Sequence, residues 1–211
     1  NGIQDGEPGL AGVQVTLEFA AGGAARDPDG NPIAPQVSGG AGDYLFDEVP
    51  PGDYIVIFET PFAPYFLTEP DQTGDAADSD ADLNTGQTPS FTLQSGDSNT
   101  DLDAGYYQKC TIGDFTWEDL NGNGLQDGGE PGLDGVSITI TDDVTAAPPL
   151  FEVDGTTAYN PNTTSGGGGA YIFDNLPPGM YYITFSAPGG YFFTQAGGDS
   201  DANQTTGITV A

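Results

Sequence analysis

The residues best equipped for chemistry are oxygen donors, and they crowd into one short run. Asp119-Leu-Asn-Gly-Asn-Gly-Leu-Gln-Asp-Gly-Gly-Glu130 carries side-chain oxygens at Asp119, Asn121, Asn123, Asp127 and Glu130, with Gly124 at its middle. This satisfies the twelve-residue calcium-loop pattern, in which spaced side chains and one backbone carbonyl supply the ligands and a central glycine permits the sharp turn. Leu125 stands at the carbonyl position, Asp127 at the place often bridged by water, and Glu130 where a carboxylate closes the ring with both oxygens. Hard oxygen donors make Ca2+ the expected cofactor, and a chain with no His and a single Cys gives zinc little to bind. The competing reading of the run is an acidic Asn-Gly hairpin turn.

A related run opens the sequence, keeping Asn1, Ile3, Asp5 and Glu7. It is one residue shorter, so its geometry must differ, and with the first half of the loop missing a weak or incomplete site is expected unless a preceding segment supplies it. Two further sets, Asp78, Asp80, Asp82 and Asp199, Asp201, Asn203, alternate along segments whose extended form turns every second side chain to one side. Asp47, Asp75 and Asp174 are candidate additional ligands from neighbouring loops. For these sets the competing reading is a solvated acidic loop. Asp27-Pro-Asp-Gly-Asn31 reads as a turn.

These donors need a scaffold, and composition constrains it. Thirty-two Asp and Glu against two Lys and Arg give a formal charge of -30, which repels nucleic acid and anionic lipid. Self-repulsion opposes compaction, and bound divalent cations would offset it. Twelve Phe and ten Tyr supply a core, so disorder is the weaker reading. Thirty-three Gly and 17 Pro, scattered throughout, leave few stretches able to sustain a helix and point to an all-β chain. No apolar run is long enough to span a bilayer, so no membrane insertion is expected.

The chain repeats itself. Asn1-Gly-Ile-Gln-Asp5, Gly6-Glu-Pro-Gly-Leu10 and Gly12-Val13 return as Asn123-Gly-Leu-Gln-Asp127, Gly129-Glu-Pro-Gly-Leu133 and Gly135-Val136. Tyr44-Leu-Phe-Asp47 through Pro50-Pro-Gly52 returns as Tyr171-Ile-Phe-Asp174 through Pro177-Pro-Gly179. A period of about 120 residues is a whole domain, and the expected division is 1–108 and 109–211. Val13, Val15, Leu17 and Phe19 alternate with polar residues, as do Val136, Ile138 and Ile140, which predicts strands with one buried face. Short strands between Gly, Pro and Asp clusters predict two tandem β-sandwich domains. The second copy has a predicted first strand, Thr111–Trp117, that the first lacks. The first has a predicted last strand, Asn99–Tyr106, that the second lacks. Either the chain is an excerpt of a longer array or its edges are completed by neighbouring chains through strand addition.

Ile112-Gly-Asp114, Trp117-Glu-Asp119, Asn121-Gly-Asn-Gly124, Glu130-Pro-Gly132 and the Tyr-x-Phe-Asp-x-Leu-Pro-Pro-Gly-x-Tyr block together resemble the B repeats of SdrD-like bacterial surface adhesins and, more broadly, Cna-B-type Ig-like sandwich domains. The resemblance implies a calcium-binding stalk module without catalytic activity, extracellular and on the cell surface or in a secreted filament. Its implied partners are neighbouring repeats or identical subunits. Two segments depart from the pattern: 143–168, a Gly, Thr and Pro-rich insertion, and Lys109-Cys110 at the junction. Cys110 has no intramolecular partner and is either a free thiol or an intermolecular crosslink. The Lys-to-Asn crosslink of related sandwiches has little to work with, since Lys109 is the only lysine.

Paired carboxylates alone leave a glycosidase open on count. It is disfavoured by the absence of His and by the turn-like, calcium-like spacing of the Asp clusters. The rival to a structural module is an adhesin module that binds carbohydrate or a host or partner protein through its loops, with Tyr65-Phe66 and Tyr191-Phe192-Phe193 as an aromatic platform. The other fate of those aromatics is core packing.

Overall fold

Val13, Val15 and Leu17 can all be buried only if the chain is extended, because only there do alternate side chains share a face. The computed structural model, which describes residues 2–4, 6–60, 62–71, 78–141, 158–196 and 198–209, forms strand β1 (Gln14–Phe19) from this run. The chain divides into two compact units, Asn1–Gln108 and Lys109–Ala211.

In the first unit, β1 lies between β2 (Gln36–Val37) and β3 (Gly52–Phe58), and β5 (Phe91–Leu93) extends the antiparallel sheet in the order β2-β1-β3-β5. The register sets Val15 opposite Phe58, Leu17 opposite Val56 and Phe19 opposite Tyr54, so the apolar members of both strands meet on one face. Val15, Leu17, Tyr54, Val56 and Phe58 are buried, and the Phe19 and Tyr54 rings stack with centroids 5.5 Å apart. A second antiparallel pair, β4 (Tyr65–Leu67) with β6 (Tyr106–Gln108), supplies Leu67 and Tyr106 to the same core.

The second unit repeats the plan. β8 (Ser137–Thr141) lies between β9 (Asn162–Thr164) and β11 (Tyr182–Ser186), with Ile138 opposite Phe185 and Ile140 opposite Ile183. β7 (Cys110–Phe115) pairs antiparallel with β10 (Ala170–Leu176). Both units are Ig-like sandwiches, the all-β class read from the alternating strands.

Two local devices recur at matching positions. Ser38 and Ser165 are buried, and each hydroxyl ties the entry of its unit's central strand. Ser38 Oγ accepts from Val13 N at 3.0 Å and donates to the Leu10 carbonyl at 2.7 Å, while Ser165 Oγ accepts from Val136 N at 3.0 Å and donates to Leu133 at 2.8 Å. Beside the Pro-Pro-Gly turns, the Tyr54 hydroxyl donates to the Pro50 carbonyl and Tyr181 to Pro177, at 2.8 and 2.6 Å. Glu48 and Asn175, two residues before Pro50 and Pro177, share the left-handed backbone with φ of 55° and 60°.

The strand limits differ from expectation in two places, and the two units differ from each other in a third. The predicted last strand of the first unit, Asn99–Tyr106, forms a ladder only from Tyr106; ahead of it, Asp103 and Gly105 each accept a single backbone bond, from Asp80 N and Thr68 N. The expected insertion 143–168 contains β9 and Ser165, the counterparts of β2 and Ser38; an exposed edge strand of Asn and Thr carries no hydrophobic alternation to announce it. Residues 142–157 lie outside those described. Tyr44–Val49, the counterpart of most of β10, carries no strand ladder, and Leu45 on its outer side is exposed as Ile172 is.

Removing a hydroxyl that satisfies two backbone groups should be costly. Ser165→Ala is expected to destabilise the second unit by about 1–3 kcal/mol. The check is urea unfolding followed by fluorescence of Trp117, the chain's single tryptophan, with a lowered midpoint. Ser38→Ala should leave that midpoint where it is.

Candidate metal centre

The Asp119–Glu130 run folds as a chain of short turns in which each side-chain oxygen accepts from a backbone N–H slightly further on. Asp119 Oδ1 accepts from Gly122 N at 2.6 Å and Asn123 N at 3.3 Å, and Oδ2 from Gly124 N at 2.8 Å. Asn121 Oδ1 accepts from Asn123 N at 3.0 Å, and Asn123 Oδ1 from Leu125 N at 2.8 Å. This is what short Asx side chains do: they offer local hydrogen bonds that curl the backbone around themselves. Gly124 adopts φ 77°, and a Cβ there would collide with the Gln195 carbonyl, so the tight centre of the loop requires glycine.

The far side of the loop closes on the near side. Asp127 Oδ2 accepts from both carboxamides, Asn121 Nδ2 and Asn123 Nδ2, each at 2.9 Å. Glu130 spans back with Oε1 on Leu120 N at 2.9 Å and Oε2 on Asp127 N at 3.0 Å. Five of the expected side chains, Asp119, Asn121, Asn123, Asp127 and Glu130, are thus linked, with the Leu125 backbone held in the same ring. Asp199 joins from a distant loop: its Oδ2 accepts from Gln126 N at 3.0 Å and its own N–H donates to the Gly124 carbonyl at 3.1 Å.

Thr194 was not foreseen as part of this site. Its hydroxyl donates to Asp119 Oδ2. That bond, with the Gly124, Gly122 and Asn123 amides, holds the Asp119 carboxyl down to about 2. The separation of 75 positions between Thr194 and Asp119 explains why no local pattern betrays the contact.

The alternating sets do not act as units. In the first copy, Asp78 and Asp80 are 3% and 5% exposed, and Asp80 Oδ2 accepts from Asp103 N at 2.8 Å. Asp82 turns outward instead: its Oδ1 accepts from Thr85 Oγ1, Thr85 N and Asn84 N, which hold its carboxyl below the usual carboxylate range. Asn203 does the same for Thr205 N and Thr206 N at 2.9 and 3.1 Å. Asp82 and Asn203 therefore cap turns, because a short side chain at a turn's first position meets its own backbone before it meets a neighbour. Asp201 is exposed; with Asp114 it adds to the burial that pushes the Tyr171 hydroxyl up to about 12.

Of the shortened first loop, Asp5 lies outside the described residues and Glu7 is exposed; Ile3 bridges to Asp78, and Ser79 N donates to the Gly2 carbonyl, as Ser200 N does to Gly124. Asp103 is an addition that the sequence reading did not select. Asp75 is outside the described residues, Asp47 and Asp174 are exposed, and Cys110 is exposed on β7. Asp27 closes the expected turn, accepting from Asn31 N at 2.8 Å, and Arg26 Nη1 donates to Gly30 O across it at 2.7 Å. Among the described residues, no three Asp, Glu, Cys or His side chains stand together in a ready metal cage. The donor set of the Asp119–Glu130 loop mixes carboxylates with carboxamides and a carbonyl, the oxygen chemistry that suits Ca2+.

Comparison with known proteins places this chain in a family. The SdrD B-like domain matches residues 1–106 and again 110–211. Serine-aspartate repeat-containing protein F of Staphylococcus epidermidis is 35% identical over 205 residues, covering 95% of this chain and 11% of that protein. Serine-aspartate repeat-containing protein E of Staphylococcus aureus is 34% identical over 213 residues, 100% of this chain and 16% of that protein. A bone sialoprotein-binding protein of Staphylococcus aureus is 36% identical over 200 residues, 93% of this chain and 15% of its own length. This chain thus spans only a small part of each of these relatives. Two successive matches, together covering nearly every residue, establish that the chain belongs to the SdrD B-like domain family and carries the domain twice.

Proposed function

We propose that this chain is a non-catalytic, calcium-stabilised structural module of an extracellular, cell-surface stalk or filament built from tandem repeats. The observation that carries the reading is the Asp119–Glu130 loop, where Asp127 accepts from the Asn121 and Asn123 carboxamides, Asp119 and Glu130 accept from backbone amides of the same loop, and Asp199, 73 positions along from Gln126, accepts from its N–H. Asp119, Asn121, Asn123, the Leu125 carbonyl, Asp127 and Glu130 would hold the ion, with Asp199 beside them. A half-turn of either carboxamide would present its oxygen toward Asp127 in place of its nitrogen. Bound calcium would supply positive charge to a loop that contains no Lys or Arg.

The chain's own residues do the rest. The Thr194 hydroxyl and then the backbone amides hold Asp119 ionised, Gly124 lets the loop close, and Gln126 N fixes Asp199 against it. A weaker site in the first unit would draw on Asp78 and Asp80, two buried like charges whose burial favours a cation; Asp80 Oδ2 accepts from Asp103 N. The tandem arrangement and the small share of each relative that this chain spans support neighbouring repeats or identical subunits as partners. Acid–base chemistry finds no stated role here, because the organised carboxylates are committed to turns and loop closure.

Thermal unfolding separates this reading from an acidic but metal-indifferent fold. At free calcium about 100 times the dissociation constant, the second unit should gain about 2.7 kcal/mol. Chelator should lower its midpoint, and Asp119→Ala should reproduce the chelated midpoint in calcium. An unmoved midpoint defeats the proposal.

Asp119 also sets an acid limit. Its folded carboxyl lies near 2 against the usual 3.8, so its contribution to stability is in place above about pH 4 and is lost as pH falls toward 2. Thr194→Val is expected to raise the Asp119 value toward 3.8 and move that loss to higher pH, as read from its carboxyl carbon shift in metal-free protein.

A further inference from the structure

Three asparagines in this chain precede glycine, Asn1, Asn121 and Asn123, and the last two stand together in the Asp119–Glu130 loop. Such a pair can react with itself. The glycine backbone nitrogen loses its proton to solvent and attacks the asparagine Cγ, the carboxamide C–N bond breaks, and ammonia leaves a five-membered imide. Water then opens the imide to aspartate or to isoaspartate, so the balance is carboxamide plus water to carboxylate plus ammonium. Glycine permits the closure because it has no Cβ to crowd the attacking nitrogen. The other seven asparagines precede Pro, Thr, Leu or Gln, which either crowd that nitrogen or, in proline, leave it without an N–H.

The folded loop holds the reacting groups of both pairs on other partners. Gly122 N donates to Asp119 Oδ1 at 2.6 Å and Gly124 N to Asp119 Oδ2 at 2.8 Å, so the two attacking nitrogens share one carboxylate. The carboxamides they would attack share another, since Asn121 Nδ2 and Asn123 Nδ2 both donate to Asp127 Oδ2 at 2.9 Å. Each carboxamide oxygen is also taken, Asn121 Oδ1 by Asn123 N and Asn123 Oδ1 by Leu125 N. Ring closure requires the glycine peptide to swing toward the asparagine side chain, which breaks a charge-assisted bond. The carboxylate accepts the N–H but is too weak a base to remove an amide proton. Asn121, Gly122 and Asn123 are exposed to the water that hydrolysis needs, whereas Gly124 is buried.

We propose that Asn121-Gly122 and Asn123-Gly124 form a modification site, deamidated by water when the loop opens, and that Asp119 is the latch that keeps both pairs unreacted. One side chain governs two reactions because its two oxygens hold the two nitrogens that would start them. Burial sets their order: the exposed Gly122 is released before the buried Gly124, so Asn121 reacts before Asn123. The product does not re-form the closed loop. Aspartate at either place sets a carboxylate against Asp127 where a donor stood, and isoaspartate adds a carbon to the main chain at the loop's tightest part. The reaction uses residues of the loop described above but requires no calcium.

The test incubates the whole chain in chelator at neutral pH and maps deamidation by peptide mass spectrometry, with a synthetic peptide of residues 117–132 as the unheld reference. Both sites should react at least about tenfold more slowly in the chain than in the peptide, the rate equivalent of keeping one charge-assisted bond, and Asn121 should lead. Asp119→Ala should raise both rates at least about tenfold. Ser165→Ala, which weakens the second unit away from the loop, should leave them at the native values, and Trp117 emission reports that each variant is folded during the incubation. If Asp119→Ala does not fold, Asp119→Asn replaces it, keeping the shape with a neutral acceptor, and should raise both rates. A native chain that reacts as fast as the peptide overturns the proposal. So do Asp119 variants no faster than native, or a folded Ser165→Ala that accelerates as much as they do. Asn121→Asp, the direct product, should melt lower than native in chelator, and an unmoved midpoint would remove the claim that deamidation undoes the latch. Melting with and without calcium is read on separate samples, so the latch and the metal can each fail alone.

Discussion

Thirty-two carboxylates share this chain with two basic side chains, so the fold must hold its negative charge in place almost without ion pairs. It does so with backbone N–H groups. Asp119 takes three, Asp82 two, Glu130 two, and Asp27, Asp80 and Asp199 at least one each. Hydrogen bonds to a charged acceptor are stronger than those between neutral groups, and each also fixes a loop. Turns are therefore where this protein stores its order, and the abundant Gly and Asn are the residues that let the backbone reach the carboxylates.

The sandwich beneath these loops is conventional in its physics. One sheet in each unit places alternate apolar residues inward, and cross-strand pairs such as Leu17 with Val56 and Ile140 with Ile183 build the core. Ser38 and Ser165 then fasten the entry of the central strand by satisfying one donor and one acceptor with a single hydroxyl. The duplicated devices give an internal control: where the two units agree, the feature belongs to the domain, and where they differ, something local is at work.

Much of this was legible in the sequence because it is periodic or tightly spaced. The alternation at Val13–Phe19 and Val136–Ile140 marked the central strands, and the spacing from Asp119 to Glu130 marked a loop whose side-chain oxygens accept from N–H groups of the same loop. What escaped was of two kinds. Single polar residues with a tertiary task, such as Ser165, Thr194 and Asp103, have no local signature. Asp82 and Asn203 had the opposite problem, since alternation with Asp78, Asp80 or Asp199, Asp201 suggested one shared face while their own turns claimed them first. The β9 edge, made of Asn and Thr, lacked any apolar rhythm to read.

The scarcity of basic residues has a further consequence for durability. Arg26 flanks the turn closed by Asp27 and Asn31, its guanidinium bonded across it to the Gly30 carbonyl, while Lys109 lies between β6 and β7 with its side chain exposed. A protease that cuts after Lys or Arg thus finds its two sites of very different quality, one locked in a turn and one at the seam between domains. Digestion by such an enzyme would part the chain into its two repeats and leave each sandwich whole, so the composition that burdens folding with repulsion also spares the folded domains from a common class of attack.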